Sequence, residues 1–360
     1  MTYGRNRDKV ISQIQRTFTD MEKIEEKFKD PEQVSQIVNT TRGTTRGTTR
    51  GASLERSVSD EPLSSDLKTI AEAGSRGIAK IRSGRNAEIT KEEETGLEAI
   101  VLMEGRPAIK IDNNDFLTPP SEWRHLENYR DSIKSTILSS GRIEVQNYPD
   151  GLDYIGSASL VAEDVIMTNE HVAIAFSRPG NNGKWTFKYG QVSVDYGHDL
   201  SDTENSFNVE EVIGVHSEYD LALLRVSADS TSSMKSPKPL GIAKDFEDDK
   251  VNDKECYIVG FPAWDGRRND PVVMHRIFNN IYGYKRLQPG KLRNLVGGAN
   301  IVEHDCSTLG GNSGSCVVDM TTNKIVGLHF SGRFGEINSA VALWKLIDDP
   351  LLKSAGVQFI

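Results

Sequence analysis

Residues 305–315, DCSTLGGNSGS, place one serine, Ser313, among glycines and other small residues. Glycine lets a backbone turn tightly enough to aim several N–H groups at one point. A serine in such a turn is a candidate nucleophile for acyl transfer, and the N–H groups of Gly311 and Ser313 are candidate donors to the developing oxyanion. The chemistry then requires a base and an orienting carboxylate elsewhere in the chain.

Two other segments offer these groups. In residues 167–173, MTNEHVA, a hydrophobic run ends at a polar turn that presents His171, a candidate general base. In residues 217–224, SEYDLALL, Asp220 stands directly before an apolar run, where its carboxylate can hold an imidazole in one tautomer. Each residue alone is ordinarily structural, but together they complete the set of groups that a serine nucleophile needs.

The order of these residues discriminates among serine-hydrolase folds. His171, Asp220 and Ser313 follow one another at separations of 49 and 93 residues, and the order His, Asp, Ser is that of chymotrypsin, whereas α/β-hydrolases and subtilisins have other orders. Short β-rich runs separated by turn signals fill the chain from residue 142 onward, which predicts an all-β barrel or sandwich. The expected strands are 142–146, 157–161, 165–168, 192–194, 209–215, 221–226, 256–261, 272–278, 300–302, 315–318, 325–329 and 338–341.

With these motifs in place, residues 141–360 resemble the trypsin/chymotrypsin-like serine peptidases, and most closely their bacterial glutamyl-endopeptidase-like branch. The matching segments are 168–172 (TNEHV), 220–224 (DLALL), 307–315 (STLGGNSGS) and 326–330 (VGLHF). The resemblance implies a mainly β, double β-barrel domain with the active site in the cleft between the barrels.

The resemblance also bears on specificity. In the family, the position six residues before the nucleophile sets the charge of the primary pocket, and here it is Ser307, which disfavours cleavage after basic residues. Thr308 and His329 match the threonine and histidine that hold a P1 Glu or Gln side chain in glutamyl endopeptidases, and both can donate to an oxygen. The alternative is that His329 only packs at the end of its strand.

One residue departs from the family pattern. Asn312 stands where secreted zymogens have an aspartate that pairs with a newly freed N-terminus. Because an amide cannot form that ion pair, activation by this switch is not expected.

The first 140 residues have a different texture. We expect an amphipathic helical segment at 1–39, with one helix over 8–28, then a flexible linker at 40–65 with three TTRG repeats. A helical and clip-like regulatory region follows at 66–140, with a helix break near Gly74–Gly77, short strands between Gly96 and Leu117, and a helix from Trp123 that ends by Ser140–Gly141. The trypsin-like peptidase domain then takes 141–360.

Composition excludes several classes of protein. The chain has 43 basic and 52 acidic residues, a net charge of −9 and a pI near 5.4, which argues against a protein built to coat nucleic acid or anionic membranes. No apolar run approaches the roughly 18 residues of a membrane span, and the first thirty residues carry no signal-like apolar core, so we expect a cytoplasmic protein. The three cysteines are interpreted as buried small hydrophobes, and neither a metal nor a cofactor is expected.

The sequence therefore predicts an intracellular serine endopeptidase of bacterial type. Its partners would be a protein or peptide substrate and a regulatory protein that its N-terminal region binds. The alternatives are a non-catalytic binding or scaffold protein that keeps the fold, and an esterase with the same machinery. The remaining histidines are interpreted as surface or core residues: His125, His198, His216, His275 and His304.

Overall fold

The computed structural model describes residues 3–30, 60–149, 151–152, 154–180, 183–231, 236–263, 282–332 and 337–360. These residues form two compact units. The helical unit comprises the described residues up to Pro107 together with Thr118–Arg124. The barrel unit comprises Ala108–Leu117 and the described residues from His125 onward. The domain boundaries drawn from sequence texture remain a prediction.

The helical unit begins with two helices, α1 (Tyr3–Thr17) and α2 (Met21–Lys29), where the apolar spacing predicted one. The single helix over 8–28 is therefore wrong. Asp20 ends the continuity because its side chain accepts a hydrogen bond from the backbone N–H of Lys23, which caps a new helix. The apolar residues of both helices still share one core, so the spacing identified the buried face but not the break.

Helix α3 (Asp60–Arg82) crosses α4 (Lys91–Ile100) at glycines. A Cβ atom on Gly96 would lie 2.2 Å from the backbone nitrogen of Gly74, so the two backbones approach as closely as glycine permits. The expected break near Gly74–Gly77 is wrong, because these glycines serve helix packing. The range Gly96–Leu117, where short strands are expected, is helical at its start: a capping box of Thr90 and Glu93 begins α4, which ends in a π-turn over Val101–Gly105.

Between the helices and the barrels the chain contains short elements. Strands β1 (Ile109–Asp112) and β2 (Asp115–Phe116) form a hairpin, and 3₁₀ turns over Ser121–Tyr129 lead into α5 (Arg130–Ser139). Helix α5 ends where the sequence predicts, but the predicted start at Trp123 is wrong, because the α-helix begins at Arg130 after the 3₁₀ turns. The predicted TTRG linker lies outside the described residues up to residue 59, and its last six residues, from Asp60, belong to α3.

Six antiparallel strands close the first barrel in the order β10-β5-β4-β3-β8-β9. A two-residue periodicity places alternate side chains inside, and these form a core of aliphatic and aromatic residues. Helix α6 (Glu170–Phe176) follows β5, and a small hairpin of β6 (Ser177–Pro179) and β7 (Trp185–Phe187) comes next. The barrel strands are β3 (Ser140–Val145), β4 (Gly156–Ala162), β5 (Val165–Thr168), β8 (Val192–Asp195), β9 (Ser206–Val215) and β10 (Ala222–Ser230).

The second barrel has the order β11-β14-β15-β16-β13-β12, and a β11–β12 pairing closes the ring. Strand β1 extends it by pairing with β12. The sequence did not predict β12, in which charged residues interrupt the apolar pattern, and the expected strand 272–278 lies outside the described residues. The strands are β11 (Glu255–Gly260), β12 (Arg286–Val296), β13 (Ile301–His304), β14 (Cys316–Asp319), β15 (Ile325–Ser331) and β16 (Asn338–Ala342).

The predicted fold class is thus confirmed: a mainly β domain of two six-stranded antiparallel barrels follows a helical N-terminal region. The C-terminal residues add 3₁₀ turns at Leu343–Leu346 and a short helix, α7 (Pro350–Ser354). Among the described helices, none is long and apolar enough to cross a membrane.

Candidate active site

His171 lies in the first turn of α6 at the end of β5, where its side chain is 47% exposed. Its Nδ1 lies 2.6 Å from Oδ2 of Asp220, and its backbone N–H donates to Oδ1 of the same carboxylate at 2.9 Å. Both carboxylate oxygens are therefore used to hold one residue. This geometry fixes the ring orientation, so that Nε2 is the nitrogen left for a reacting group.

Asn169 holds the backbone of Asp220 in place. It is fully buried directly before α6, and its side-chain amide donates to the backbone oxygen of Asp220 at 2.8 Å. The connection from β9 to β10 carries Asp220, and Asn169 ties it to the start of α6. The sequence placed Asn169 in the histidine motif but gave it no role.

Ser313 lies on the loop before β14, between two glycines with left-handed backbone angles. Gly311 has φ +87° and Gly314 has φ +89°, a region that side chains with a Cβ atom rarely adopt. The Ser313 side chain is half-buried, and its hydroxyl makes no hydrogen bond to any residue that the structure describes. Within the same described part of the chain, the N–H groups of Gly311 and Ser313 also donate to no acceptor. The loop therefore offers one hydroxyl and two backbone donors to an incoming group.

Ser157 of β4 links this loop to the first barrel, a role that sequence reasoning missed. Its backbone N–H donates to the backbone oxygen of Ser313 at 2.8 Å, and its hydroxyl donates to the backbone oxygen of Gly311 at 2.7 Å. Nothing in the sequence distinguishes Ser157 from the other small residues of its strand. The link appears only when the two barrels are assembled.

Gly156 shows that the histidine and serine segments meet. A Cβ atom on Gly156 would lie 2.8 Å from Cγ2 of Val172, the residue after His171, and 3.2 Å from the backbone oxygen of Ser313. The two segments thus contact the same strand position from the two barrels. The structure brings the predicted base, carboxylate and nucleophile into one neighbourhood.

Asn312 has neutral partners in place of an ion pair. It is fully buried, and its side-chain oxygen accepts a hydrogen bond at 2.8 Å from the side-chain amide of Gln288 on β12. Its own amide donates to the backbone oxygen of Leu309 at 3.3 Å. Two uncharged hydrogen bonds therefore support the loop that carries Ser313.

The predicted specificity residues lie beside the loop that carries Ser313. Ser307, Thr308 and His329 are all buried, with exposures of 8%, 5% and 3%. The backbone oxygen of His329 accepts a hydrogen bond from the N–H of Gly314 at 3.0 Å, which places the end of β15 beside Ser313. Burial lowers the pKa of His329 well below its usual range, and positive charge on His304 and His171 lowers it further. His329 is therefore neutral near pH 7.

The histidines outside the predicted triad have varied surroundings. His304 is fully buried, in agreement with its interpretation as a core residue, and its Nε2 lies 3.1 Å from Nδ1 of His329. His125 pairs with Glu255 at 2.9 Å, and His216 pairs with Asp349 at 3.0 Å. His275 lies outside the described residues.

Cysteines and metal ligands complete the inventory. All three cysteines are buried, and the sulfur atoms of Cys256 and Cys306 lie 3.8 Å apart, beyond a disulfide bond. In the described part of the chain, one group has the geometry to hold a metal ion: Glu144, Asp195 and His198. Asp195 already accepts hydrogen bonds from two backbone N–H groups, and Glu144 pairs with Arg142. Two of the three potential ligands are therefore engaged in bonds within the protein.

Sequence comparison identifies proteins that are similar to this chain. Residues 156–328 match the family described as a trypsin-like peptidase domain. The chain is 27% identical over 307 residues to a probable serine protease of Lysobacter enzymogenes, covering 74% of this chain and 77% of that protein. It is also 27% identical over 194 residues to a glutamyl endopeptidase of Staphylococcus epidermidis, covering 53% of this chain and 59% of that protein. The alignments to the Staphylococcus aureus glutamyl endopeptidases cover about half of those proteins.

Solved structures of proteases show a distant likeness. The active form of a protease from M. tuberculosis is 17% identical with a TM-score of 0.42, covering 71% of this chain and 93% of that one. A serine endoprotease from Yersinia pestis is 16% identical with a TM-score of 0.41, covering 63% and 67%. The strand pairing of the chain itself establishes the two barrels. The family match and the curated relatives confirm the resemblance to trypsin-like serine peptidases.

Proposed function

We propose that the chain is a serine endopeptidase whose catalytic residues are Ser313, His171 and Asp220, on the basis of the match of residues 156–328 to a trypsin-like peptidase domain. The observation that carries the proposal is the two-point hold of Asp220 on His171, beside a strand that also contacts the Ser313 segment. This arrangement supplies a base of fixed orientation next to an unbonded hydroxyl.

The reaction then runs through an acyl-enzyme. The Ser313 hydroxyl oxygen attacks the scissile carbonyl carbon while Nε2 of His171 takes its proton, and Asp220 stabilises the imidazolium that forms. The N–H groups of Gly311 and Ser313 bind the oxyanion. His171 next gives its proton to the leaving amine, and water activated by the same histidine hydrolyses the acyl-enzyme.

For specificity, the proposal places Thr308 and His329 in the primary pocket, where they bind a P1 Glu or Gln side chain. Ser307 leaves this pocket without an aspartate, so basic P1 residues gain no ion pair there. The named activity of the staphylococcal relatives, glutamyl endopeptidase, supports an acidic P1 residue.

A peptide library tests both parts of this proposal. Purified wild-type protein and the Ser313→Ala variant are incubated with the library, and mass spectrometry identifies the cleaved bonds. We expect cuts after Glu or Gln in the wild type and none in the variant. Cuts that persist in Ser313→Ala would reject the nucleophile, and cuts distributed over all P1 residues would reject the pocket.

We further propose that the enzyme acts inside a bacterial cell and that its N-terminal region regulates it, with a partner protein as the trigger. Helices α1 and α2 share a hydrophobic core with α3 and α4, although residues 31–59 separate them in sequence. Cleavage within that stretch would therefore cut a connection between parts of one folded unit.

The test of regulation uses the full chain with a site for a specific protease inserted at Gly51. Turnover of a short peptide is measured before and after the insertion is cut, with the uncleavable parent chain as the control. We expect the cut to change turnover. Equal turnover in both states would contradict regulation through this segment.

One observation favours the second candidate, a binding or scaffold protein without turnover. The Ser313 hydroxyl is not hydrogen-bonded to His171 in this structure, whereas an activated serine needs that contact during the reaction. The library separates the two functions, because a scaffold would cut no peptide in either the intact or the cleaved form.

A further inference from the structure

The connection between β9 and β10, residues 216–221, carries the proposed catalytic carboxylate of Asp220. The backbone N–H of His216 donates to the backbone oxygen of Leu221 at 2.9 Å, which closes the connection at its base. In the described part of the chain, the carboxylate of Asp220 accepts hydrogen bonds from His171 alone. The backbone of the connection therefore has to aim this carboxylate at the histidine.

The side chain of His216 holds that backbone. Its Nδ1 accepts hydrogen bonds from the N–H of Glu218 at 3.0 Å and from the N–H of Tyr219 at 3.1 Å. In an Asx-turn, the side chain of Asn or Asp binds its own backbone two residues later in the same way. Here an imidazole nitrogen takes the place of the side-chain oxygen. The ring thus fixes two of the peptide groups that lead into Asp220.

The same contacts decide which nitrogen of His216 carries hydrogen. Two N–H groups point at Nδ1, so this nitrogen offers its lone pair and carries no hydrogen. The hydrogen is then on Nε2, which lies 3.0 Å from Oδ2 of Asp349 and donates to it. The two side chains are 8% and 12% exposed, so water competes little for this bond. No other assignment of hydrogens satisfies all three contacts.

Asp349 is itself held in place. Its Oδ1 accepts the N–H of Leu352 at 3.0 Å and caps helix α7. Helix α7 packs against β9, where a Cβ atom on Gly214 would lie 2.6 Å from Cδ1 of Leu351. The ring of His216 therefore joins the connection to a helix that is fixed on the same barrel.

We infer that His216 is a positioning residue: it caps the connection, anchors it on Asp349 and so directs the carboxylate of Asp220 toward the catalytic histidine. This inference rests on the proposed catalytic roles of Asp220 and His171. Because His216 acts through Asp220, its loss should lower kcat and leave KM nearly unchanged. A misplacement of about 1 Å is enough to cost roughly 10²-fold.

The test compares His216→Ala with His216→Asn in cleavage of a peptide that the wild type cuts. Alanine removes both the cap and the anchor. Asparagine keeps an oxygen that can accept from the same two N–H groups but has no atom at the position of Nε2. His125→Ala is the matched control, because His125 is also paired with a carboxylate in the barrel unit.

In His216→Ala we expect kcat to fall by roughly 10²-fold, with KM within about threefold of wild type. In His216→Asn the fall should be about threefold to tenfold, because only the anchor is lost. His125→Ala should have the kcat of the wild type. A wild-type kcat in His216→Ala would overturn the inference, and equal losses in the alanine and asparagine variants would overturn the cap.

An Asp349→Ser variant separates the anchor from the capping of α7. Serine caps a helix about as well as aspartate does but has no second oxygen for Nε2 of His216. We expect kcat to fall by about threefold to tenfold, and no further fall when Asp349→Ser is combined with His216→Asn. An unchanged kcat in Asp349→Ser, or additive losses in the double variant, would overturn the anchor.

The tautomer of His216 is measured independently of turnover. ¹⁵N NMR of histidine-labelled wild-type protein distinguishes a nitrogen that carries hydrogen from a bare acceptor, and His216→Asn assigns the signals. Hydrogen on Nε2 alone supports the inference, and hydrogen on Nδ1 overturns it even if His216→Ala fails to fold. A wild type that cuts no peptide would instead reject the proposed function, while the tautomer result stands on its own.

Discussion

Buried polar groups find their partners in different ways in the helical unit and around Ser313 in the barrel unit. In the helical unit, buried carboxylates are neutralised by cations of the same unit: Glu25 pairs with Lys29 and Arg82, and Glu93 pairs with Lys80. In the barrel unit, the buried groups around Ser313 are neutral amides and imidazoles, such as Asn312 and His329. Paired charges stabilise the fold of the helical unit. The N–H groups of Gly311 and Ser313, which have no acceptor among the described residues, can instead bind a substrate.

The largest expected effect comes from breaking the hold on His171. In Asp220→Asn, the amide cannot accept from both the backbone and Nδ1 of His171, so the ring loses its orientation and tautomer. We expect kcat to fall by roughly 10⁴-fold with little change in the free energy of unfolding. Steady-state kinetics on a Glu-containing peptide measures the effect, with Asp229→Asn, an exposed residue of β10, as the control. A loss of less than tenfold would remove Asp220 from the catalytic residues.

A smaller effect is expected from displacing the nucleophile loop. In Gly314→Ala the new Cβ atom would lie 2.1 Å from the backbone oxygen of Ser157 and 2.3 Å from Oγ1 of Thr168. The φ angle of this residue is +89°. The loop must shift, and a displacement near 1 Å costs about 10²-fold in kcat/KM. Gly298→Ala, at a positive φ in open space, controls for backbone strain alone. Equal kinetics in both variants would contradict the tight seating of the loop.

The helical unit should respond in stability. In Gly96→Ala the added carbon would meet the backbone of Gly74 and the Ile70 oxygen, which cannot rotate away. We expect a destabilisation of about 1–3 kcal/mol, seen as faster hydrogen exchange in peptides of α3 and α4. Peptide turnover by Gly96→Ala and by the wild type is measured in the same samples. A change in turnover supports regulation by the helical unit, and constant turnover argues against it. Unaltered exchange would contradict the close crossing at the glycines.

The smallest effects should appear in the pH dependence of stability, with a different window for each unit. Burial depresses the pKa of His329 from its ordinary value of 6.5, so the unfolded chain binds a proton first and stability falls as pH drops below about 6.5. Burial raises the pKa of Glu25, but hydrogen bonds from Lys29 and Arg82 outweigh it and lower the pKa from 4.5, so this contribution is lost only below about 4.5.

Urea unfolding at pH 7.5, 5.5 and 4.0 checks these windows. His329→Gln should flatten the loss between pH 7.5 and 5.5, and Glu25→Gln should flatten only the loss at pH 4.0. The assignments of the two pH windows to His329 and Glu25 would be contradicted if each variant showed the pattern expected of the other. They would also be contradicted if the free energy of unfolding of both variants depended on pH as in the wild type.

The barrels were easier to predict from sequence than the helical unit, for a physical reason. Alternation and turn residues mark a strand locally, as in Val165–Thr168, where prediction and structure agree. Strand β12 escaped because Arg286 and Lys291 interrupt its apolar pattern. In the helical unit, Gly74 and Gly77 predict a helix break because glycine is a poor helix former. Both are instead interior residues of α3, where they contact α4 closely.

The same reasoning applies to the site. The order and context of His171, Asp220 and Ser313 predicted residues that the fold brings close, because each motif ends a strand or forms a turn. Ser157 was not predicted because it acts through a contact across 154 residues of sequence, which no local pattern encodes. Local chemistry is readable from sequence, whereas support from a distant strand requires the assembled barrels.

Covalent labelling shows whether the Ser313 hydroxyl is activated by His171. A fluorophosphonate probe is added to the wild-type chain and to His171→Ala, and peptide mass spectrometry locates the adduct. We expect one adduct, on Ser313, in the wild type and no adduct in His171→Ala. An unlabelled wild type, or equal labelling of Ser313 without His171, would contradict this expectation.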